Sequence, residues 1–172
     1  YTAWDLGVGD STAIFVAQTM GKEVRIIDYV ENHGQGLAWY VNWIKDNKYA
    51  TAEHILPHDV EVRELGTGKS RKEILQDLGL SITVCPRLGV DDGIQAVRRL
   101  LPNCWFHPKA KQGLDCLRNY RREYDEKRQV FYDKPLHDYT SHAADAFRYL
   151  AVGMNQTSNW SKPINANIKW IV

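Results

Sequence analysis

The period of apolar and polar positions changes several times along the chain, and each change marks an element. Tyr1-Thr2-Ala3-Trp4 and Ile14-Phe15-Val16-Ala17 read as two strands of a hairpin, joined through a glycine-bearing turn over residues 5–12. Residues 23–30, β-branched and partly alternating, predict a third strand after the Gly21-Lys22 turn. Leu37, Val41 and Ile44 then recur at helical spacing, and Trp39, Tyr40 and Trp43 widen the apolar face. That helix should finish near Asn47-Lys48. Residues 53–56 form a short fourth strand stopped by Pro57. Ile74, Leu75 and Leu78 predict a helix from Ser70 closed by Gly79, and residues 81–85 a fifth strand stopped by Pro86.

Asp91-Asp92 opens the next helix, with Ile94, Val97 and Leu101 as its inner stripe and Pro102 as its stop. Trp105-Phe106 is a short extended piece. A helix from about Pro108 is expected to carry Leu114, Leu117 and Tyr120 on one side and Arg118, Arg121 and Arg122 on another. Residues 129–132 read as a strand entering the turn Asp133-Lys134-Pro135. The last clear element is a helix capped by Ser141, with Phe147, Leu150, Ala151 and Met154 as its buried stripe. Residues 156–172 form a C-terminal extension that admits one more strand, and residues 1–155 form the core of a single domain. Three antiparallel strands followed by βα alternation predict an α/β fold, a mixed β-sheet flanked by helices on both faces.

The net charge of +1 conceals an asymmetry. Residues 1–65 carry ten acidic and five basic side chains, and residues 98–128 carry nine basic and four acidic ones. An acidic half beside a basic segment suits a protein that binds cations at one place and a polyanion next to it, or else it is an ordinary solvated surface. Three cysteines are too few for a disulfide framework and point to a reducing compartment. Cys104, His107 and Cys116 lack a fourth zinc ligand, so buried thiols are the better reading. No apolar run is long enough to cross a membrane. The chain begins inside a predicted strand, as a piece of a longer protein would.

Three acids can be brought to one place in the predicted fold. Asp5 ends the first strand, Asp59 follows the fourth, and Asp145 lies on the last helix among Ala143, Ala144 and Ala146. Asp5 either serves a metal or phosphate site or caps its turn. If the two strands are neighbours, Asp5 and Asp59 meet at one sheet edge, within reach of Asp145. Crowded carboxylates repel one another unless cations sit between them. Two divalent ions, Mg²⁺ or Mn²⁺ by their preference for oxygen, would make of such a cluster the clamp used for phosphodiester cleavage.

The chain resembles the C-terminal nuclease domain of the large terminase subunit of tailed bacteriophages. The resembling segments are residues 4–13 (Trp4-Asp5-Leu6-Gly7-Val8-Gly9-Asp10-Ser11-Thr12-Ala13), Leu56-Pro57-His58-Asp59, residues 63–71, Asp92-Gly93-Ile94, residues 117–122 and residues 141–149 (Ser141-His142-Ala143-Ala144-Asp145-Ala146-Phe147-Arg148-Tyr149). The last is the most specific. The resemblance implies an RNase H-like fold and a two-metal endonuclease that cuts double-stranded DNA, trimming concatemeric genomes during packaging. It implies Asp5, Asp59 and Asp145 as metal ligands. It implies, as partners, an N-terminal packaging ATPase in the same polypeptide, a portal protein and a small terminase subunit, all in the host cytoplasm.

Other residues keep two readings. Asp10 reaches a metal through water, orients a ligand, or caps its turn. His142 and His58 either hold a water or the scissile phosphate, or are structural. Lys69, Arg71, Arg118, Arg121 and Arg122 are read as phosphate contacts, which position DNA without reading its sequence. Gly66-Thr67-Gly68-Lys69-Ser70 imitates a phosphate-binding loop, but the full pattern needs glycine where Arg63 stands. Two rival functions remain. One is half of an actin-like or sugar-kinase-like ATPase, which shares this sheet but needs a second domain. The other is a catalytically inactive DNA-binding module, for which an acidic cluster has no use.

Overall fold

β1 (Thr2–Asp5), β2 (Ser11–Met20) and β3 (Glu23–His33) pair antiparallel in chain order, Asp5 opposite Ala13 and Ala13 opposite Glu31. β4 (His54–Leu56) lies parallel beside β1 and β5 (Ile82–Val84) parallel beside β4. A sixth strand, β6 (Cys104–Phe106), runs parallel along β3, so the sheet order is β5-β4-β1-β2-β3-β6. This is a computed structural model, and it describes residues 1–7, 11–63 and 68–157. The antiparallel start and the parallel βα continuation are the RNase H-like arrangement that the resemblance implied.

Alternation along the strands sends side chains into two cores. On one face Trp4, Ile14 and Leu56 pack against α1 (Leu37–Asp46) and α2 (Arg71–Asp77) through Tyr40, Val41, Ile44 and Leu75. On the other, Ala3, Phe15, Ile26 and Ile55 meet α3 (Val90–Leu100), α4 (Lys111–Asn119) and α5 (Ser141–Thr157). Phe147 of α5 is fully buried, edge-on to Phe15 at 5.2 Å and stacked on Phe106 at 5.8 Å. Two helices come this close because glycine faces the sheet. A Cβ at Gly113 of α4 would stand 2.5 Å from the Phe15 ring, and one at Gly153 of α5 would stand 2.5 Å from Ile55.

The β1–β4 seam, which fixes where Asp5 and Asp59 emerge, is also held by a buried polar chain. Trp4 Nε1 donates to Thr2 Oγ1 at 2.7 Å, so the Thr2 hydroxyl turns its own hydrogen toward His54 Nδ1, also at 2.7 Å. Burial lowers the His54 pKa to about 4, and a neutral ring with its proton on Nε2 fits that acceptor role. The polar chain ends at His54 Nε2, a buried atom with no hydrogen-bond partner among the described residues, where most buried polar atoms have one.

Three local expectations give way. The basic helix ends at Asn119, and Arg121 and Arg122 lie beyond it. Arg122 opens β7 (Arg122–Asp125), which pairs with β8 (Val130–Pro135) as a two-stranded hairpin apart from the main sheet. Ser141 is not the cap of α5. Ala144 N bonds to Thr140 O, and the Ser141 hydroxyl instead ties Asp138 N to Leu136 O in the preceding loop. Finally, α3 turns Gly93 and Ala96 inward, while Leu101 lies beyond its end and is exposed. The 158–172 stretch, most of the expected C-terminal extension, lies outside the described residues.

Candidate active site

In the six-stranded sheet every strand but β2 points the same way, so the carboxyl ends of β1, β3, β4 and β5 share one sheet edge, the usual place for ligands in open α/β sheets. Asp5, the last residue of β1, emerges there. α5 crosses the face behind it and brings His142, Asp145 and Arg148 along one side. His142 Nδ1 lies 3.1 Å from Asp5 Oδ2, and Arg148 Nη2 lies 3.1 Å from Asp145 Oδ1. Burial pushes the Asp145 carboxyl up to about 6; Asp5 adds to the rise, and Arg148, His142 and His137 oppose it. Asp5 thus has a histidine beside it and Asp145 an arginine, and the two carboxylates are near enough to repel one another.

Asp59 stands apart. It lies exposed in the 3₁₀ turn His58–Glu61 that follows β4 past Pro57, at the same sheet edge. Its carboxylate makes no hydrogen bond or ion pair with another described residue. Among the described residues no three His, Cys, Asp or Glu side chains are grouped closely enough to hold an ion. Asp5 is paired with His142 and Asp145 with Arg148. The donor chemistry nonetheless fits a hard divalent cation. Asp5 and Asp145 are oxygen donors, and burial, the main cause of the raised Asp145 pKa, leaves its ionised form poorly solvated.

His58 is exposed and lines a small cleft of about 30 Å³ with Pro86, Gly89, Gly93, Arg148 and Tyr149, which joins the Asp59 turn to the Asp145 helix. Asp10 lies outside the described residues, as do residues 64–67. The described end of the imitation phosphate loop, from Gly68 to Ser70, leads into a helix start. Ser70 Oγ accepts from Glu73 N at 3.1 Å and Glu73 Oε2 accepts from Ser70 N at 2.7 Å, a capping box, while Lys69 Nζ reaches Asp77 at 2.7 Å. Lys69 and Arg71 therefore sit at the N-terminus of α2. The basic residues are already partly neutralised. Arg118 lies 3.5 Å from Asp115 and Arg121 lies 3.3 Å from Asp138, whereas Arg122 makes no ion pair with another described residue. The thiols behave as buried side chains. Burial lifts Cys85 and Cys104 to about 11, and all three cysteines are free. No described helix is long and apolar enough to cross a membrane.

Two residues at this edge, Glu31 and His137, had no place in the sequence reading, and a third, Arg148, was given no role in it. Glu31 shares a row with Asp5 on either side of Ala13 and so projects from the same sheet face, its Oε2 accepting from Tyr29 OH at 2.6 Å. Alternation with Tyr29 was a signal, but the register was needed to use it. His137 lies edge-on to His142 at 6.1 Å. Arg148, one turn after Asp145, was visible as a helical pair but not as a buried one.

No protein-family model and no curated relative matches the sequence. Among solved structures, the chain is similar to the large terminase of a thermophilic bacteriophage, with a TM-score of 0.66 and 18% identity over 90% of this chain. It spans 39% of that terminase. It is similar also to the large-terminase (g2p) nuclease domain of bacteriophage SPP1 with bound Mn, with TM-score 0.63 and 18% identity over 86% of this chain and 82% of that one. A third similar structure is the large-terminase nuclease of thermophilic phage G20c with bound zinc, at TM-score 0.56 and 20% identity, covering 90% of this chain and 79% of that one. At these identities the likeness is one of fold, and the fold is that of large-terminase nuclease domains.

Proposed function

We propose that this chain is a metal-dependent endonuclease of phage DNA packaging, cutting double-stranded concatemeric genomes. The observation that carries the reading is the convergence of Asp5, from the end of β1, and Asp145, from α5, at the edge where the parallel strands end. Support comes from the shared fold and from the manganese named for the SPP1 domain. Asp5 and Asp145 would hold Mg²⁺ or Mn²⁺ ions, with Asp59 brought in from its exposed turn. Such ions lower the pKa of bound water and neutralise charge on a phosphodiester. His142 orients Asp5, and Asp59 would approach from its exposed place on a turn that Val60 anchors in the core. An inactive DNA-binding module has no use for two acids at one sheet edge beside a polyanion. In the working assembly an N-terminal ATPase of the same polypeptide, a portal protein and a small terminase subunit would deliver DNA to this edge, in the host cytoplasm.

The decisive experiment incubates the protein with supercoiled plasmid in Mn²⁺, Mg²⁺, Zn²⁺ or EDTA. Nicked and linear DNA should appear in Mn²⁺, more weakly in Mg²⁺, and not in EDTA. Intact plasmid in every metal, together with saturable ATP binding by calorimetry, would reject the nuclease in favour of the kinase-like reading.

The cations should govern affinity rather than chemistry. Replacing Arg122 by Ala should flatten the salt dependence of DNA binding by roughly one unit of log–log slope, the contribution of one phosphate contact. Arg118→Ala and Arg121→Ala should each change it less, because their Asp partners already neutralise them. Fluorescence anisotropy across a salt series measures this, and an unchanged slope for Arg122→Ala removes the hairpin from the DNA interface.

A further inference from the structure

Helices α3 and α5 meet at a contact that the proposed chemistry has not yet used. A Cβ built on Gly93 would lie 2.2 Å from Cδ and 2.5 Å from Cγ of Arg148, and 3.2 Å from its Nε. Leaving aside its chain neighbours and the backbone of its own helix, no atom of another residue comes nearer to that position than these. The Arg148 stem therefore lies flat against the bare backbone of α3, and its side chain is only 15% exposed. Its guanidinium carbon stands 5.7 Å from the centre of the Tyr149 ring, within cation–π range. From this seat it reaches Asp145 Oδ1 at 3.1 Å.

An arginine three residues from an aspartate on an open helix samples many rotamers, and the pair contributes a few tenths of a kcal/mol. Here the stem is confined, so the planar fork of the guanidinium is aimed before any ligand arrives. Asp145 needs such a hold. The nearby Asp5 carboxylate repels it, and His142 is engaged with Asp5. We propose that Arg148 is a positioning residue that fixes the Asp145 carboxylate for cleavage, and that Gly93 is required because any side chain there would unseat Arg148. This inference rests on the nuclease reading and adds a support behind the carboxylate that holds the cation. Groups that orient a metal ligand from behind commonly change activity or metal affinity by about 10–100-fold when removed.

The test is a cycle of G93A, R148A and the double variant G93A/R148A, with R148K and R148M beside them. Thermal melts in EDTA read the packing alone. G93A should lower Tm in the wild-type background and have little effect in the R148A background, where the clashing stem is gone. Plasmid nicking in Mn²⁺ reads the chemistry. R148A, R148M and G93A should each lower kcat by about 10–100-fold with KM for DNA unchanged, R148K should recover part of that loss, and the double variant should lose no more than R148A alone. A raised KM with an intact kcat in R148M would make Arg148 a direct phosphate contact and overturn the proposal. Wild-type nicking by R148M overturns it as well, and so does an equal Tm penalty for G93A in both backgrounds. R148M and R148K keep the stem, so they decide the question even if G93A does not fold. Absence of nicking by the wild type condemns the nuclease reading instead, and the melting cycle still reports whether Gly93 seats Arg148.

Discussion

Asp5→Asn and Asp145→Asn each reduce Mn²⁺-dependent nicking of supercoiled plasmid by about a thousandfold or more while leaving the far-UV spectrum of the fold intact. Metal ions at a phosphodiester supply several kcal/mol of transition-state stabilisation, and losing a ligand forfeits a comparable amount, on the order of 10³ in rate. The fold survives because both side chains stand at the sheet edge rather than in either core, and asparagine keeps their volume. Asp59→Asn is the more searching variant. Its carboxylate is exposed and pairs with no other described residue, so its removal costs the metal-free protein nothing in contacts. A loss as severe as that of Asp5→Asn would mean that DNA and metal draw the 58–61 turn into the site. Cutting at the wild-type rate by Asp59→Asn would remove it from the ligand set and leave Asp5 and Asp145, with another donor such as Glu31 on the same row, to hold the ions.

The strands of the main sheet were legible because their apolar runs alternate or end at Pro57 and Pro86, and the candidate pair stood out because Asp5 and Asp145 interrupt otherwise apolar or small-residue surroundings. What the sequence concealed has a common physical origin. The helices of the α3–α5 face approach through small residues: α3 buries Gly93 and Ala96, and α4 buries Gly113 and Cys116. A search for large apolar stripes therefore selects the rim of each contact, Ile94, Leu101 and Leu114, rather than its centre. The end of α4 was hidden for a different reason. Arg118-Asn119-Tyr120-Arg121-Arg122 contains no proline or glycine to stop a helix, and the stop comes from local bonds and from tertiary pairing. Asn119 Nδ2 donates to Asp115 O at 2.8 Å, Arg121 reaches Asn119 O at 3.2 Å, and Tyr124 packs on Phe131 at 4.8 Å across the hairpin. Arg148 was unreadable as a support because its partner, Gly93, has no side chain to betray the contact.

In EDTA at pH 7, Asp145→Asn should be more stable than the wild type, by about 2 kcal/mol, although it is inactive. The Asp145 pKa is raised from 3.8 to about 6, chiefly by burial. The folded state thus holds this proton more tightly than the unfolded chain does, and folding stability falls as pH rises from about 4 through 6. Once ionised, the buried carboxylate costs the folded state on the order of 2 kcal/mol, allowing for the 31% of its side chain that solvent reaches. Asparagine stays neutral throughout and still offers an oxygen to Arg148, so the variant escapes that cost. Urea unfolding at a series of pH values should therefore show the two proteins converging below pH 4 and separating as Asp145 ionises. Added Mn²⁺ should reverse their order at pH 7, because a cation bound only by the folded wild type stabilises it by mass action. Equal stability at pH 7 in EDTA would mean that Arg148 and the two histidines already neutralise Asp145, and that the edge carries no unmet charge for a metal to satisfy.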